Sequence, residues 1–280
     1  MRGRSPIHRA PVWACMLLAA LALGLTACGG GGEEEAEVPL PPPSTSGVPE
    51  DGRIPGTIVW AGNFETGDLE QWRNEDGDYS GAQTVSDDRI QVVDDPVDEG
   101  RYAARVEVRQ GDEWLGSGGN RAELRHFTGE NEGDEKWYGW STMFADDYPA
   151  TDGYQIFTQW HATEGGTQPP VIFDVSDEEI QLRTVESDAD GNPSDSVTHW
   201  SVPLERGVWH RFAAHVKWSS DPDVGFIELW YDGEQVLPPT RVATLIPGYA
   251  NYLKQGLYRD DAIEPTAVLY HDGMTVSDVR

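Results

Sequence analysis

Three separate segments of the chain carry polar or reactive side chains at every second position. They are RAELRHF at 121–127, YQIFTQWHA at 154–162 and NYLKQGLYRD at 251–260. Side chains alternate between the two faces of a β-strand, so each segment predicts a strand with one apolar and one polar face. An antiparallel sheet with one solvated face shows this alternation without any active site. The residue types on the polar faces therefore carry more information than the pattern.

The polar faces together hold the groups that would bind and deprotonate a sugar acid. Guanidinium, ammonium and amide groups can neutralise a carboxylate, while imidazole and phenol groups can move protons at the same sugar. One carboxylate accompanies them, and one amide interrupts an apolar face without an evident reason. The residues assigned to the polar faces are Arg121, Glu123 and Arg125, then Gln155, Phe157, Gln159 and His161, then Tyr252, Lys254 and Tyr258, with Gln255 as the amide on an apolar face.

These segments resemble the signatures of a known enzyme family, the jelly-roll polysaccharide lyases. RAELR, QWH and YLKQGLY are similar to the Arg-x-Glu-Leu, Gln-x-His and Tyr-x-Lys-x-Gly-x-Tyr motifs of alginate lyases. The layout from NFETGDLEQW through GVWHRFAAHVKW and GFIELWYDG to YHDGM looks more like the glucuronan lyase and heparin lyase I type. Trp160, Arg259 and Asp260 depart from the alginate pattern. The resemblance covers nearly all of residues 58–280.

The resemblance implies a lyase that cleaves a uronic-acid-containing polymer by β-elimination, with a glucuronan-like substrate favoured. Gln159 and Arg121 would neutralise the substrate carboxylate, and Tyr258 and His161 would transfer protons. Tyr258 serves as both base and acid when H5 and O4 lie on one face of the sugar, the route we expect. His161 would take the proton when they lie on opposite faces. The expected substrate-binding residues are Arg125, Lys254, Gln155, Tyr252 and Arg259.

The resemblance also implies one structural Ca²⁺, with no cofactor required for the chemistry. Calcium in proteins takes carboxylate and carbonyl oxygens as ligands. Glu65, in FETGD, and Asp272, in the terminal HDG, are the candidate ligands.

The composition after about Ile54 predicts an all-β domain. Short segments rich in Val, Ile and aromatic residues alternate with Gly, Asp, Asn and Pro, and helical periodicity is absent. This spacing is typical of a concanavalin A-like β-sandwich, or jelly roll, of two antiparallel sheets. Asp232-Gly233 predicts a tight hairpin turn. The predicted strands are 58–64, 89–95, 102–110, 121–127, 136–145, 154–162, 170–175, 179–186, 198–204, 208–219, 225–231, 235–238, 252–259 and 266–273.

Two other functions fit such a domain. A glycoside hydrolase needs two suitably spaced carboxylates. The Glu-x-Asp-x-x-Glu signature of laminarinase-like hydrolases is absent, and DVSDEE at 174–179 is the nearest acidic run. A non-catalytic carbohydrate-binding surface lipoprotein would keep the sandwich without turnover. The discriminating observation is whether Arg121, Gln159, His161 and Tyr258 meet in one cleft.

The N-terminus has the layout of a bacterial lipoprotein signal. Basic residues precede the apolar run PVWACMLLAALALGL, and LTAC at 25–28 resembles a lipobox. We therefore predict a signal peptide at 1–27, lipidation at Cys28, and a disordered Gly/Glu/Pro linker at 28–53. The lyase-like domain would occupy 54–280, exported and tethered to a bacterial membrane.

The net charge and the cysteine content exclude one class of binding partner and one means of stabilising the domain. The net charge is −29 at pH 7 and the pI about 4.3, which argues against a nucleic acid partner. Cys15 and Cys28 are the only cysteines in the sequence, so the domain has no disulfide framework. We expect a monomer that binds an anionic polysaccharide through a local basic groove on an acidic body.

Overall fold

Fifteen β-strands are formed by the described residues in a computed structural model of the chain. The described residues are 40, 54–73, 79–116, 118–149, 151–163, 168–188, 190 and 192–279. The strands are β1 Thr57–Gly62, β2 Gly81–Thr84, β3 Ile90–Val93, β4 Ala103–Val108, β5 Asn120–Glu130, β6 Glu135–Phe144, β7 Gln155–Ala162, β8 Val171–Ser176, β9 Glu179–Thr184, β10 Val197–Pro203, β11 Trp209–Lys217, β12 Phe226–Tyr231, β13 Glu234–Arg241, β14 Asn251–Arg259 and β15 Ala267–Asp278. Short 3₁₀ helices lie at Glu70–Trp72 and Asp87–Arg89.

The strands form two antiparallel sheets, as the sequence predicts for a jelly roll. The eight-stranded sheet has the order β13-β12-β11-β6-β15-β4-β3, with β1 paired to β15. The seven-stranded sheet has the order β10-β9-β8-β7-β14-β5-β2. The three segments with alternating polar residues are β5, β7 and β14, and β14 lies between the other two. Distant parts of the chain are therefore adjacent in one sheet.

Each predicted strand range contains a strand, and one strand was not predicted. This is β2, Gly81–Thr84. Its sequence GAQT contains no aromatic residue, and its one β-branched residue is the final threonine. It lies at the edge of the seven-stranded sheet and pairs only with β5 among the described strands. Its pairing partner, rather than its own propensity, places it in the sheet.

Aromatic side chains join the two sheets across the core. Trp160 of β7 packs edge-on to Tyr138 of β6, with ring centroids 4.7 Å apart. Trp140 of β6 meets Phe173 of β8 in the same way at 5.0 Å. All four side chains are buried. Truncation of one such residue to alanine costs about 3–5 kcal/mol, so these contacts fix the spacing of the sheets.

A β-bulge in β7 changes which residues face the core. The pairing of β7 with β8 shifts register between Ile156 and Thr158. The extra residue lets Phe157 join the core while Gln159 stays on the opposite face of the sheet. We call that opposite face, which carries Arg121 and Lys254, the site face. The prediction that Gln155 and Phe157 share a face with Gln159 is wrong.

Several sequence-based predictions concern the N-terminal region. The predicted signal peptide at 1–27, Cys28 and, apart from Leu40, the linker at 28–53 lie outside the described residues. All the described strands belong to one compact unit, Glu37–Arg280. Among the described residues, no helix is long and apolar enough to cross a membrane.

Candidate active site

The candidate active site lies on the site face, where β14 aligns the polar residues of its two neighbours. Antiparallel pairing puts side chains of directly opposed residues about 4.5–5.5 Å apart at Cβ. The cross-strand neighbours are Tyr258 with Arg121, Lys254 with Arg125 and Gln159, and Tyr252 with His161. The structure thus gathers seven of the nine residues predicted for catalysis and substrate binding.

Glu123 is the centre of this group. Its Oε2 lies 2.6 Å from Lys254 Nζ, and its Oε1 accepts a hydrogen bond of 2.6 Å from Gln159 Nε2. Arg121 Nη1 donates to Oε2 at 3.4 Å. Burial favours a raised pKa for Glu123, but the charges of Lys254 and Arg121 outweigh burial and lower the pKa below its ordinary value. Glu123 is therefore a carboxylate that orients three donors.

Glu123 was placed on the site face by the sequence but received no role there. The sequence feature that could have indicated this role is a single carboxylate among several cations, because buried cations require a counter-charge. Gln159, a predicted ligand of the substrate carboxylate, is 1% exposed and already donates to Glu123. A side-chain amide has two N–H donors and an ammonium has three. Gln159 and Lys254 each keep donors for a substrate after bonding Glu123.

Tyr258 and Arg121 form one end of the site. The Arg121 guanidinium carbon lies 3.8 Å from the centroid of the Tyr258 ring, a cation–π contact. Arg121 Nη2 donates to the Gly118 carbonyl at 3.2 Å, while its Nε–H has no hydrogen-bond partner among the described residues. That Nε atom is buried, so Arg121 contributes to the site through the positive charge of its guanidinium. A Cβ at Gly119 would lie 2.4 Å from Tyr258 Cε2, so the ring needs glycine there.

His161 and Tyr252 form the other end. His161 Nδ1 donates to the Ala162 carbonyl at 2.9 Å, which leaves the lone pair on Nε2. Burial, and then the nearby Lys254 charge, lowers the pKa of His161 to about 4. His161 is thus a neutral imidazole with a fixed tautomer. The Tyr252 ring lies between it and Tyr79, at 5.7 and 4.7 Å.

Arg125 completes the basic part of the site. Its Nη2 donates to the Ser80 carbonyl at 3.0 Å, and its guanidinium lies 5.8 Å from the Trp114 ring. The side chain is half-buried on β5 directly opposite Lys254. Arg125 therefore adds positive charge beside the Glu123 group.

Two predicted substrate-binding residues lie outside the site. Arg259 is 0% exposed and its Nη1 donates to the Pro265 carbonyl at 2.5 Å, on the core side of β14. Gln155 pairs with Arg259 and donates from Nε2 to the Pro149 carbonyl at 2.6 Å. The bulge in β7 separates Gln155 from the face of Gln159. The structure therefore does not bring these two predicted substrate-binding residues to the site.

The two predicted calcium ligands hold a loop by direct hydrogen bonds. Glu65 Oε1 accepts the main-chain N–H groups of Arg101 and Tyr102, at 2.9 and 3.0 Å. Asp272 Oδ2 accepts those of Asp98 and Glu99, at 2.8 and 3.1 Å. Calcium takes six to eight oxygen ligands, and the described residues hold no group of three or more His, Cys, Asp or Glu arranged for a metal. These two residues do not by themselves make a calcium site, and calcium binding stays a prediction.

The comparison with known protein families now decides the class of the protein. The family model described as polysaccharide lyase matches residues 64–275. The chain belongs to this family. The match covers all three strands of the site, and the protein is a polysaccharide lyase. No curated protein sequence matches the chain.

Solved structures with the same fold include lyases and a hydrolase. The endo-β-1,4-glucuronan lyase of the fungus Trichoderma reesei has a TM-score of 0.65 at 19% identity, with coverage of 80% of this chain and 96% of that one. The GH131 β-glucanase catalytic domain from Podospora anserina gives 0.60 at 18%, with coverage of 80% and 97%. Family 7 alginate lyase A1-II′ in complex with substrate gives 0.54 at 13%, with coverage of 70% and 84%. At such identities these similarities establish the fold alone.

Family membership also decides between the functions that the sequence left open. The hydrolase alternative depended on the acidic run at 174–179. In this lyase Asp174 is 1% exposed and is bound by both Nε and Nη2 of Arg183, at 3.1 and 2.6 Å. An aspartate bound in this way is not placed to transfer protons. The family is described as polysaccharide lyase, which is a class of enzyme, so it favours a lyase over the non-catalytic binding protein.

Proposed function

We propose that this lyase cleaves a uronic-acid-containing polysaccharide by β-elimination at a D-glucuronate unit, as in a glucuronan-like polymer. The observation that carries the proposal is the Glu123 group, in which Arg121, Gln159 and Lys254 converge beside the phenol of Tyr258. The fold shared with a glucuronan lyase supports the same substrate class.

The reaction needs a neutralised carboxylate and a group that moves one proton. The C5 proton of a uronate becomes acidic only when donors stabilise the charge that develops on its carboxylate. The positive charge of Arg121 and the remaining donors of Gln159 and Lys254 would supply that stabilisation. The C5–H and C4–O bonds break, a C4=C5 double bond forms, and a proton is delivered to the departing O4.

Tyr258 is the group that we assign to both proton transfers. A phenolate is stabilised by a neighbouring positive charge, and the Arg121 guanidinium lies on the Tyr258 ring. His161 lies opposite Tyr252, six residues along β14 from Tyr258. One residue that serves both steps suits a sugar with H5 and O4 on the same face, and the neutral His161 would then contact the polymer further along.

The test is a panel of polyuronates scored for the ultraviolet absorbance of unsaturated products. The wild-type lyase should produce absorbance on glucuronate polymers, and Tyr258→Phe should lower kcat by at least about 1,000-fold, within the range expected for combined acid–base catalysis. Tyr270→Phe, a half-buried phenol on the eight-stranded sheet, is the matched control and should keep its activity. A fully active Tyr258→Phe variant would refute the assignment.

We also propose that the lyase is exported and tethered through a lipid on Cys28. The basic start, the apolar run and the LTAC sequence support this proposal. In cells, the wild-type protein should fractionate with membranes and incorporate a labelled fatty acid. Cys28→Ser should abolish the label and release the catalytic domain from the membrane fraction. Fatty-acid incorporation into the Cys28→Ser protein would contradict the proposal.

A further inference from the structure

A cavity of about 530 Å³ lies beside Tyr258, on the side of the site that faces β8 and β9. Tyr258 and Tyr154 form one wall of this cavity, and their rings are 5.3 Å apart. None of the residues assigned to the Glu123 group lines it. Because Tyr258 borders both spaces, a polymer cleaved at Tyr258 would place the neighbouring sugar in this cavity.

The base of the cavity is apolar. Ile156, Ile172 and Val185 form a buried cluster, and Tyr154 and Tyr258 pack against it. The bulge in β7 creates this surface, because it turns Ile156 toward the site face. Aliphatic and aromatic surfaces of this kind pack against the C–H faces of a sugar ring, while polar groups at the edge receive its hydroxyls.

The charges that line the cavity differ from those of the Glu123 group. Arg183 is the single cation among the described residues that line it, and its guanidinium is already bound by the buried Asp174. Asp195 adds a further carboxylate to the lining. In the Glu123 group, by contrast, the two cations Arg121 and Lys254 contact one carboxylate, and Arg125 lies opposite Lys254. A sugar carboxylate in the cavity would lose water without gaining a free cation, which is unfavourable.

We propose that this cavity is a subsite for an uncharged sugar, adjacent to the uronate whose C5 proton is removed. The inference rests on the proposed function, which concerns the uronate, and it adds the identity of the neighbouring unit. The glucuronate at the cleaved bond is the one in the proposed function, and a polymer in which it alternates with a neutral sugar is cleaved faster than a glucuronan-like pure polyuronate.

The first experiment compares two polymers of matched length with the wild-type lyase. One is a β-1,4-linked glucuronate homopolymer, and the other alternates glucuronate with glucose. We expect kcat/KM, followed by product absorbance, to be at least about tenfold higher on the alternating polymer, since the homopolymer leaves a carboxylate without a counter-charge. Equal or faster cleavage of the homopolymer overturns the inference and leaves the proposed function intact. Cleavage of no uronate polymer overturns the proposed function, and the inference with it.

The second experiment adds a cation to the cavity. Gln168 is an exposed residue of the lining, so Gln168→Lys should raise kcat/KM on the homopolymer several-fold. The difference in kcat/KM between the two polymers should therefore become smaller. Gln91→Lys is the matched control, because it makes the same exchange at an exposed position on β3 of the other sheet. The control should leave both rates unchanged. Identical responses of the two variants would count against a binding role for the cavity.

Discussion

Lys254 Nζ and Glu123 Oε2 form an ion pair of 2.6 Å, and neither side chain is more than 3% exposed. Removal of one partner from such a pair strands a buried charge and costs about 3–5 kcal/mol, whereas removal of both is far less costly. The pair therefore couples the stability of the sheet to the geometry of the site. The lysine that the sequence places between Tyr252 and Tyr258 is a structural part of the site rather than a surface charge.

A double-mutant cycle on this pair tests the coupling. Glu123→Gln and Lys254→Met should each lower the free energy of unfolding by about 3 kcal/mol, and the double variant by clearly less than the sum. Urea denaturation supplies the three values. Glu178→Gln, which breaks the exposed pair of Glu178 with Arg206, serves as the control and should cost less than about 1 kcal/mol. Additive effects of the two site variants would show that the pair is not coupled.

Two neighbouring glycines allow a controlled test of the Tyr258 position. Gly119 and Gly118 both have positive φ angles, of 65° and 70°, so an alanine strains the backbone similarly at either position. A Cβ at Gly119 meets the Tyr258 ring at 2.4 Å, the Arg259 carbonyl at 2.8 Å and Tyr154 Oη at 2.9 Å, whereas one at Gly118 meets nothing within 4 Å. Gly119→Ala should therefore lower kcat by at least about tenfold, the cost of a displacement worth about 1.4 kcal/mol at the transition state. Gly118→Ala should not.

The outcome is read from the difference between the two alanine variants. Thermal unfolding first measures the loss of stability that the positive φ angles impose on each. Comparable unfolding temperatures with unequal kcat values would assign the effect to the Tyr258 ring. An equal loss of kcat in both variants would contradict a positioning role for Gly119.

The alternation of β5 and β14 could be predicted from the sequence because the two strands pair in continuous register from Leu253 to Arg259. The bulge in β7 could not, since it arises from different registers with two neighbouring strands. Arg259 has the parity of Leu253 and Leu257, so alternation alone predicts the core side for it. Its charge nevertheless favoured an exposed position at the substrate-binding site, because a fully buried arginine is rare. The role of Glu123 depends on contacts among β5, β7 and β14. The sequence alone does not show that these three strands are neighbours.

His126 makes a pH dependence of stability measurable. Its ring lies flat on Trp60, with centroids 4.0 Å apart, and burial lowers the pKa of His126 to about 4. An unfolded histidine has a pKa of about 6.5, so between pH 6.5 and 4 the unfolded state binds the extra proton. Stability is therefore present above pH 6.5 and falls as the pH drops through this range.

Replacement of His126 isolates this contribution. Wild-type protein should lose about 2.5 kcal/mol more than His126→Phe between pH 7.5 and 4.5, because the phenylalanine keeps the aromatic stack but cannot titrate. Urea midpoints of both proteins at the two pH values provide the comparison. Parallel losses in the two proteins would show that another group accounts for the acid sensitivity.

The acidic body and the basic site predict an unusual salt dependence. The net charge of −29 repels a polyanion at long range, while Arg121, Arg125 and Lys254 attract it locally. Screening at about 0.1 M salt confines the repulsion to roughly 10 Å. We expect kcat/KM on a uronate polymer to rise from about 5 mM to about 100 mM salt and to fall only above that. A rate that decreases steadily from the lowest salt would contradict this balance.

Arg259 and Arg121 lie on opposite sides of the same sheet, and the consequences of their loss should differ. Arg259 is fully buried, and two of its nitrogens lack hydrogen-bond partners among the described residues. A buried charge without an ion-pair partner costs free energy, so replacement of this cation by an apolar residue of similar volume should be stabilising. Arg259→Met should therefore keep KM within about twofold of wild type and raise the free energy of unfolding by about 1 kcal/mol.

Arg121→Met is the comparison, because it makes the same exchange on the site face. It removes the guanidinium from the Tyr258 ring and from the substrate carboxylate, so kcat/KM should fall by at least about 100-fold, or about 2.7 kcal/mol. Steady-state kinetics and urea denaturation on both variants separate the two roles. A tenfold rise of KM in Arg259→Met would show that Arg259 contributes to substrate binding despite its burial.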